Sequence, residues 1–254
     1  MKTASLVAIL AFFLSPDCLA ATDSTSAVVL HELQVTSGDR EITLSLVVFN
    51  VEKFRLGVVD NATAAGTAKF KSLAEAMGSV GAIAGCNGGF FQRSPFAPVG
   101  VMISSGQRSG PFDPASWMKG ALVLRSGGIA SLEPIESFRD TPDIIDLIQS
   151  GPWLVRDGRS ESDDSRKQVA RRTFLCRAQG TTWAIGNSSR CTLLELANAL
   201  KSNAVTAVID IREALNFDGG PSSGLWMKRS PADFYLTERW PVRNFICIMP
   251  EKVP

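Results

Sequence analysis

The sequence predicts a single α+β domain with a largely antiparallel or mixed β-sheet and two to four helices. Three observations carry that expectation. Short runs rich in Val, Leu, Ile and Phe alternate with Gly, Ser and Pro turns, few segments show helical spacing, and no repeat, low-complexity tract or interdomain linker interrupts the chain. With 254 residues, 45% of them apolar, the chain is long enough to bury a sizeable core. Its 26 Lys+Arg against 25 Asp+Glu build no large basic field, so nucleic acid is not an expected partner. One histidine, His31, and one tyrosine, Tyr235, exclude zinc sites built from several imidazoles.

Residues 1–20 open with Lys2, run through an apolar stretch from Leu6 to Leu14, break at Ser15-Pro16 and end in Cys18-Leu19-Ala20, the pattern of a secretory signal peptide. The expected product is an exported domain over residues 21–254, periplasmic or extracellular, with no later run of the roughly 20 apolar residues a membrane span needs. It would keep Cys86, Cys176, Cys191 and Cys247, an even number that an oxidising compartment could pair in three ways. The favoured pairing joins Cys176 to Cys191 and Cys86 to Cys247, and the alternative is four buried thiols.

Residues 28–35, 42–50 and 55–59 read as an opening antiparallel meander. Phe70, Leu73, Ala74, Met77 and Val80 recur at three and four residues, predicting a helix over 67–80 with Thr67 as its N-cap. The buried run 82–86 is a strand ending at Gly88-Gly89, and short strands follow between 100 and 134. Thr141-Pro142 with Asp143 after it predicts a short helix. Strand 153–155 turns at Asp157-Gly158, and strands 173–178 and 181–185 follow a polar loop, 160–168. Thr192-Leu193-Leu194-Glu195 is a capping box that starts a helix. Residues 214–217, 224–227 and 244–249 are strands around a glycine turn at Asp218, while Asp210 and Glu213 read as exposed positions on a helical stretch.

Gly220-Pro221-Ser222-Ser223-Gly224 matches the G-x-S-x-G elbow of serine hydrolases, but no histidine follows Ser222 and His31 lies far upstream. Asp163-Asp164 lacks the ligand spacing of a calcium loop, so no cofactor is expected, with a structural calcium-like ion left open. Two glycine turns after strands remain: Asn87-Gly88-Gly89-Phe90-Phe91, and Asn216-Phe217-Asp218-Gly219-Gly220-Pro221-Ser222-Ser223. Successive amides in such turns form anion nests, and a carboxylate beside one works as base or nucleophile.

These two segments, with Pro98-Val99-Gly100-Val101, Gly151-Pro152-Trp153-Leu154-Val155-Arg156-Asp157-Gly158 and Arg172-Thr173, resemble in order and spacing the phosphodiester glycosidase family across roughly residues 80–249. The resemblance implies hydrolysis of the bond between a sugar anomeric carbon and phosphate, on a phosphodiester-linked sugar or envelope glycan. In that frame Asp218 is the nucleophile or base, Arg172 the phosphate contact, and Asn87 the group that orients sugar hydroxyls or water. Gly88, Gly89, Phe90, Gly219, Gly220, Ser222 and Ser223 line the substrate, with Phe91 as a further apolar wall. The rival expectations are a non-catalytic glycan-binding protein and a phosphodiesterase that cuts P–O.

Overall fold

The computed structural model describes residues 28–114, 117–161 and 167–251, so the expected signal peptide and Asp163-Asp164 lie outside the described residues. The α+β expectation holds, and every strand ladder among the described residues is antiparallel. A seven-stranded sheet runs in the order Val29–Ser37, Arg40–Asn50, Thr182–Cys191, Ala170–Ala178, Ile211–Asn216, Trp153–Arg156, Arg159–Ser160. One five-stranded sheet is Ile129–Pro134, Gly120–Arg125, Ile144–Ser150, Met102–Ser104, Gln107–Ser109. The other is Phe234–Leu236, Leu225–Met227, Ala84–Asn87, Asn244–Pro250, Phe54–Asp60.

Both smaller sheets pack on the same face of the large one. Val47, Phe49, Leu175, Trp183, Ile185 and Leu215 from the large sheet meet Leu56, Cys86, Leu122, Ile148, Leu225 and Ile246 from the small ones in one central core. Helix α1 (Leu73–Ser79) covers the outer face of the sheet that holds Ala84–Asn87. Helices α2 (Leu193–Leu200) and α3 (Asn203–Thr206) cover the outer face of the large sheet. The α2 capping box forms as expected. Thr192 Oγ1 accepts from the Glu195 amide at 3.1 Å and the Glu195 carboxylate accepts from the Thr192 amide at 2.7 Å, a device worth about 1 kcal/mol.

The structure corrects four expectations. The opening strands do not form a meander, because Phe54–Asp60 leaves the first hairpin and pairs with Asn244–Pro250. Consecutive strands bury their apolar sides face to face across the central core instead of side by side. Helix α1 begins at Leu73, since Asn61 holds the preceding segment as a loop by bonding both the amide and the carbonyl of Phe70, and Ser72 is the N-cap. Residues 144–150 form a strand in place of a helix. Ile148 faces the central core while Ile144 and Leu147 face a second cluster, and burial on both sides overrides the local N-cap signal. Asp210 and Glu213 flank or lie on the Ile211–Asn216 strand, not a helix, and pair with Lys201 at 3.3 Å and Arg177 at 2.6 Å, away from the glycine turns.

The expected disulfides are also absent: Cys86, Cys176, Cys191 and Cys247 are free and buried. Cys176 sits opposite Ala184 and Cys191 opposite Ala170. That register separates them by roughly 20 Å along the hairpin, against the 4.4–6.8 Å a disulfide spans. Cys86 lies opposite Ile246, so Cys247, one residue on, points to the other face of the sheet and into a different core cluster. No helix among the described residues is long and apolar enough to cross a membrane. Burial pushes all four thiols up. Thiol labelling followed by peptide mapping is therefore expected to modify these cysteines only after denaturation, with no added labelling upon reduction.

Candidate functional site

Along three neighbouring strands of the large sheet the inward positions change from apolar to polar at one level. Phe49 and Val47 give way to Ser45 and Thr43, Ile185 to Asn187 and Ser189, and Leu175 to Thr173 and Arg171. The central core ends there and a cavity of about 310 Å³ opens, lined by Glu32, Ser45, Arg171, Asn187 and Tyr235 among others. Both glycine turns arrive at this end of the core, from the Ala84–Asn87 and Ile211–Asn216 strands.

The two turns are knotted together by one side chain. Asn87 Nδ2 donates to the Asp218 carbonyl at 2.7 Å, while its Oδ1 accepts from Thr173 Oγ1 at 2.7 Å and from the Gly224 amide at 3.0 Å. Asn187 Nδ2 donates to Thr173 Oγ1 at 3.1 Å, which extends the chain to the cavity wall. The backbone adds Asp218 N to Gly88 O at 3.1 Å and Phe217 N to Thr173 O at 2.8 Å. Burial pushes the Asp218 carboxyl up to about 6, against the opposing pull of hydrogen bonds from the Ser222 hydroxyl and the Gly219 amide. A carboxyl held there exchanges protons near neutrality.

The remaining expected site residues divide. Gly219 and Gly220 border Asp218; a Cβ on Gly219 would come 2.8 Å from the Arg171 carbonyl, and Gly220 has φ +61°, so this turn needs its glycines. Ser222 joins the site through Asp218 and also accepts from Trp240 Nε1 at 3.3 Å. Ser223 is fully buried. Gly88 and Gly89 do not form an anion nest, because their amides are donated to the backbone and side chain of Asn244, and a Cβ on either would strike Asn244 or Ile148. Phe90 packs edge-on against Trp117 at 4.7 Å. Arg172 is turned away from this face: strand alternation sets it opposite to Thr173, and its guanidinium donates to the carbonyls of Cys191, at 3.1 Å, and Gln168.

Asn187, Arg171 and Glu238 are polar groups at this place that sequence reasoning missed. Arg171 donates to the Thr237 carbonyl at 3.0 Å and lines the cavity. Burial and the neighbouring Arg239 weaken its basicity, with Glu238 opposing, though a guanidinium stays charged. The signal was present in the register: Leu175 and Thr173 lie on the inner face, so Arg171 does too. Glu238 is buried and accepts from the Leu73 amide at 2.6 Å and from Tyr235 Oη at 2.8 Å. It had no sequence signal, since it lies in a short connection before the last strand. Among the described residues no three His, Cys, Asp or Glu side chains gather as a metal site.

No curated protein matches this chain. Among solved structures, the catalytic domain of zebrafish N-acetylglucosamine-1-phosphodiester alpha-N-acetylglucosaminidase, auto-inhibited by its pro-peptide, superposes with a TM-score of 0.63 at 16% identity, covering 91% of this chain and 85% of that one. A Synechocystis protein gives 0.61 at 14% identity, covering 87% and 62%. A Burkholderia pseudomallei protein gives 0.51 at 12% identity, covering 83% and 74%. At such identities these likenesses show a shared fold. The family model for phosphodiester glycosidase matches residues 80–249, which include both glycine turns and the strands that carry Thr173 and Asn187. The chain therefore belongs to the phosphodiester glycosidase family.

Proposed function

We propose that the protein is an exported hydrolase that cleaves the sugar C1–O bond of a phosphodiester-linked sugar in an envelope or exopolysaccharide glycan. The observation that carries the reading is the Asp218 carboxyl, half-buried just past the Ile211–Asn216 strand and pushed up to about 6 by desolvation. Ionised, it attacks the anomeric carbon or takes a proton from the attacking water. The departing phosphate monoester keeps the bonding electrons and needs charge stabilisation more than a strong acid. Arg171, on the cavity face, supplies it in place of Arg172. Asn87 is a positioning residue, since its amide is taken up by Asp218 O, Thr173 and Gly224 and fixes where the carboxylate stands.

Incubating the protein with an N-acetylglucosamine phosphodiester in oxygen-18 water is expected to place the label in the sugar. Asp218→Asn is expected to lower kcat about a thousandfold or more while the fold persists. Label in phosphate overturns the assignment, as does full activity of the variant. The wild-type kcat/KM is expected to rise with pH to a plateau above about 6, falling tenfold per unit below it, because the working form of Asp218 is the ionised one. Stability should run the other way. A raised carboxyl pKa makes the folded state bind more protons than the unfolded chain between about 4 and 6, so stability falls as pH rises through that window. Asp218→Asn, which lacks this loss, is expected to melt higher than wild type at pH 7, with a gain on the order of 2 kcal/mol.

Arg171→Ala is expected to cut kcat/KM by about a hundredfold with little change in melting temperature. Arg172→Ala should mainly lower the melting temperature, because its guanidinium ties the Cys191 and Gln168 carbonyls. Steady-state kinetics and thermal melts on the two variants separate the roles.

A further inference from the structure

A second cavity, of about 270 Å³, lies on another side of the Asp218 turn, lined by Phe91, Arg93, Phe96, Trp240 and the chain around Thr67. It touches the proposed chemistry through one relay: Trp240 Nε1 donates to Ser222 Oγ at 3.3 Å, and the Ser222 hydroxyl hydrogen bonds the Asp218 carboxyl. Receiving the indole proton leaves the serine hydroxyl free to point its own proton at Asp218.

The walls have the two chemistries that a charged sugar asks for. Phe91 and Phe96 meet edge to face at 5.5 Å, and the Arg93 guanidinium lies 4.3 Å from the Trp240 ring centroid. Aromatic faces take the C–H face of a pyranose, and a guanidinium takes a carboxylate or phosphate. Phe96 holds φ +60°, a backbone conformation that a bulky aromatic residue keeps only where its surroundings fix it, so this wall is set before a ligand arrives. Arg93 is exposed, and among the described residues no carboxylate pairs with it. The cavity is roomy enough for one ring. We infer that it is a subsite for an anionic pyranose, with the ring against the aromatic wall and the acidic substituent on Arg93. This rests on the hydrolase reading only for its use, as recognition of an acidic unit of the glycan beside the bond that Asp218 cleaves.

Titration calorimetry of the whole protein with glucose, glucuronic acid and glucose 6-phosphate tests the subsite without turnover. At least one of the two acids is expected to bind about tenfold or more tighter than glucose. The carboxylate and phosphate arms tell which acidic group is preferred. Arg93→Ala is expected to reduce that binding to the glucose level, Trp240→Ala to weaken all three sugars, and Asp218→Asn to leave binding intact. Arg93 is on the surface, so its variant stays informative if Trp240→Ala fails to fold. Equal binding of glucose and both acids, no binding of either acid, or an unchanged Arg93→Ala each overturns the subsite. The oxygen-18 assay is read separately. Binding that depends on Arg93 without turnover sinks the hydrolase reading and spares the subsite, and turnover without such binding does the reverse.

Discussion

The side chain of Asn87 is the constraint on which the site depends. It stands at the end of a central strand in one sheet and reaches the carbonyl of Asp218 at the end of a central strand in another. Its oxygen is shared between Thr173 and the Gly224 amide. An amide is the group for this position because it both donates and accepts; a carboxylate there would face the Asp218 carbonyl with no proton to give. Buried polar groups cost free energy unless they are bonded, and here each bond is made to a different segment. Three stretches of chain are thereby located against one another by side chains, at the level where apolar packing stops.

The same place explains the electrostatics. Asp218 is desolvated by the end of the core, and no cation counts among the causes of its shift, which leaves it a proton-exchanging carboxyl. The Arg171 backbone carbonyl abuts the turn at Gly219, yet its guanidinium is held by the Thr237 carbonyl and balanced by Glu238. A salt bridge between Asp218 and an arginine would have driven the carboxyl pKa down and removed this property. The carboxyl and the guanidinium thus stay separate, and neither offsets the charge of the other.

Much of this was legible in the residues. Glycine turns after strands marked Asp218 and Asn87, the capping box marked α2, and the apolar runs marked most strands, since each signal is local. What failed was set by distant contacts. The strand at Ile144–Ser150 has a helix-like start that burial on two faces overrules, and the third strand leaves its neighbours because its partner lies at the far end of the chain. Arg172 and Arg171 differ by one residue, which in a strand is the difference between two faces, and Arg171 is the one that lines the cavity. Cys86 and Cys247 show the same rule, being neighbours in register but pointing into different clusters.

The strand that carries Asn87 is flanked by Leu225–Met227 on one side and Asn244–Pro250 on the other, and Phe54–Asp60 is completed only by that last strand. Loop closure across nearly the whole sequence must precede assembly of this sheet. A chain emerging from the ribosome can build the first hairpin early, but the strand that carries Asn87 lacks both of its neighbours until Leu225–Met227 and Asn244–Pro250 have been made. Order of synthesis therefore bears on order of assembly: the first hairpin rests on local contacts, and the strand that carries Asn87 gains its second neighbour only once Asn244–Pro250 follows.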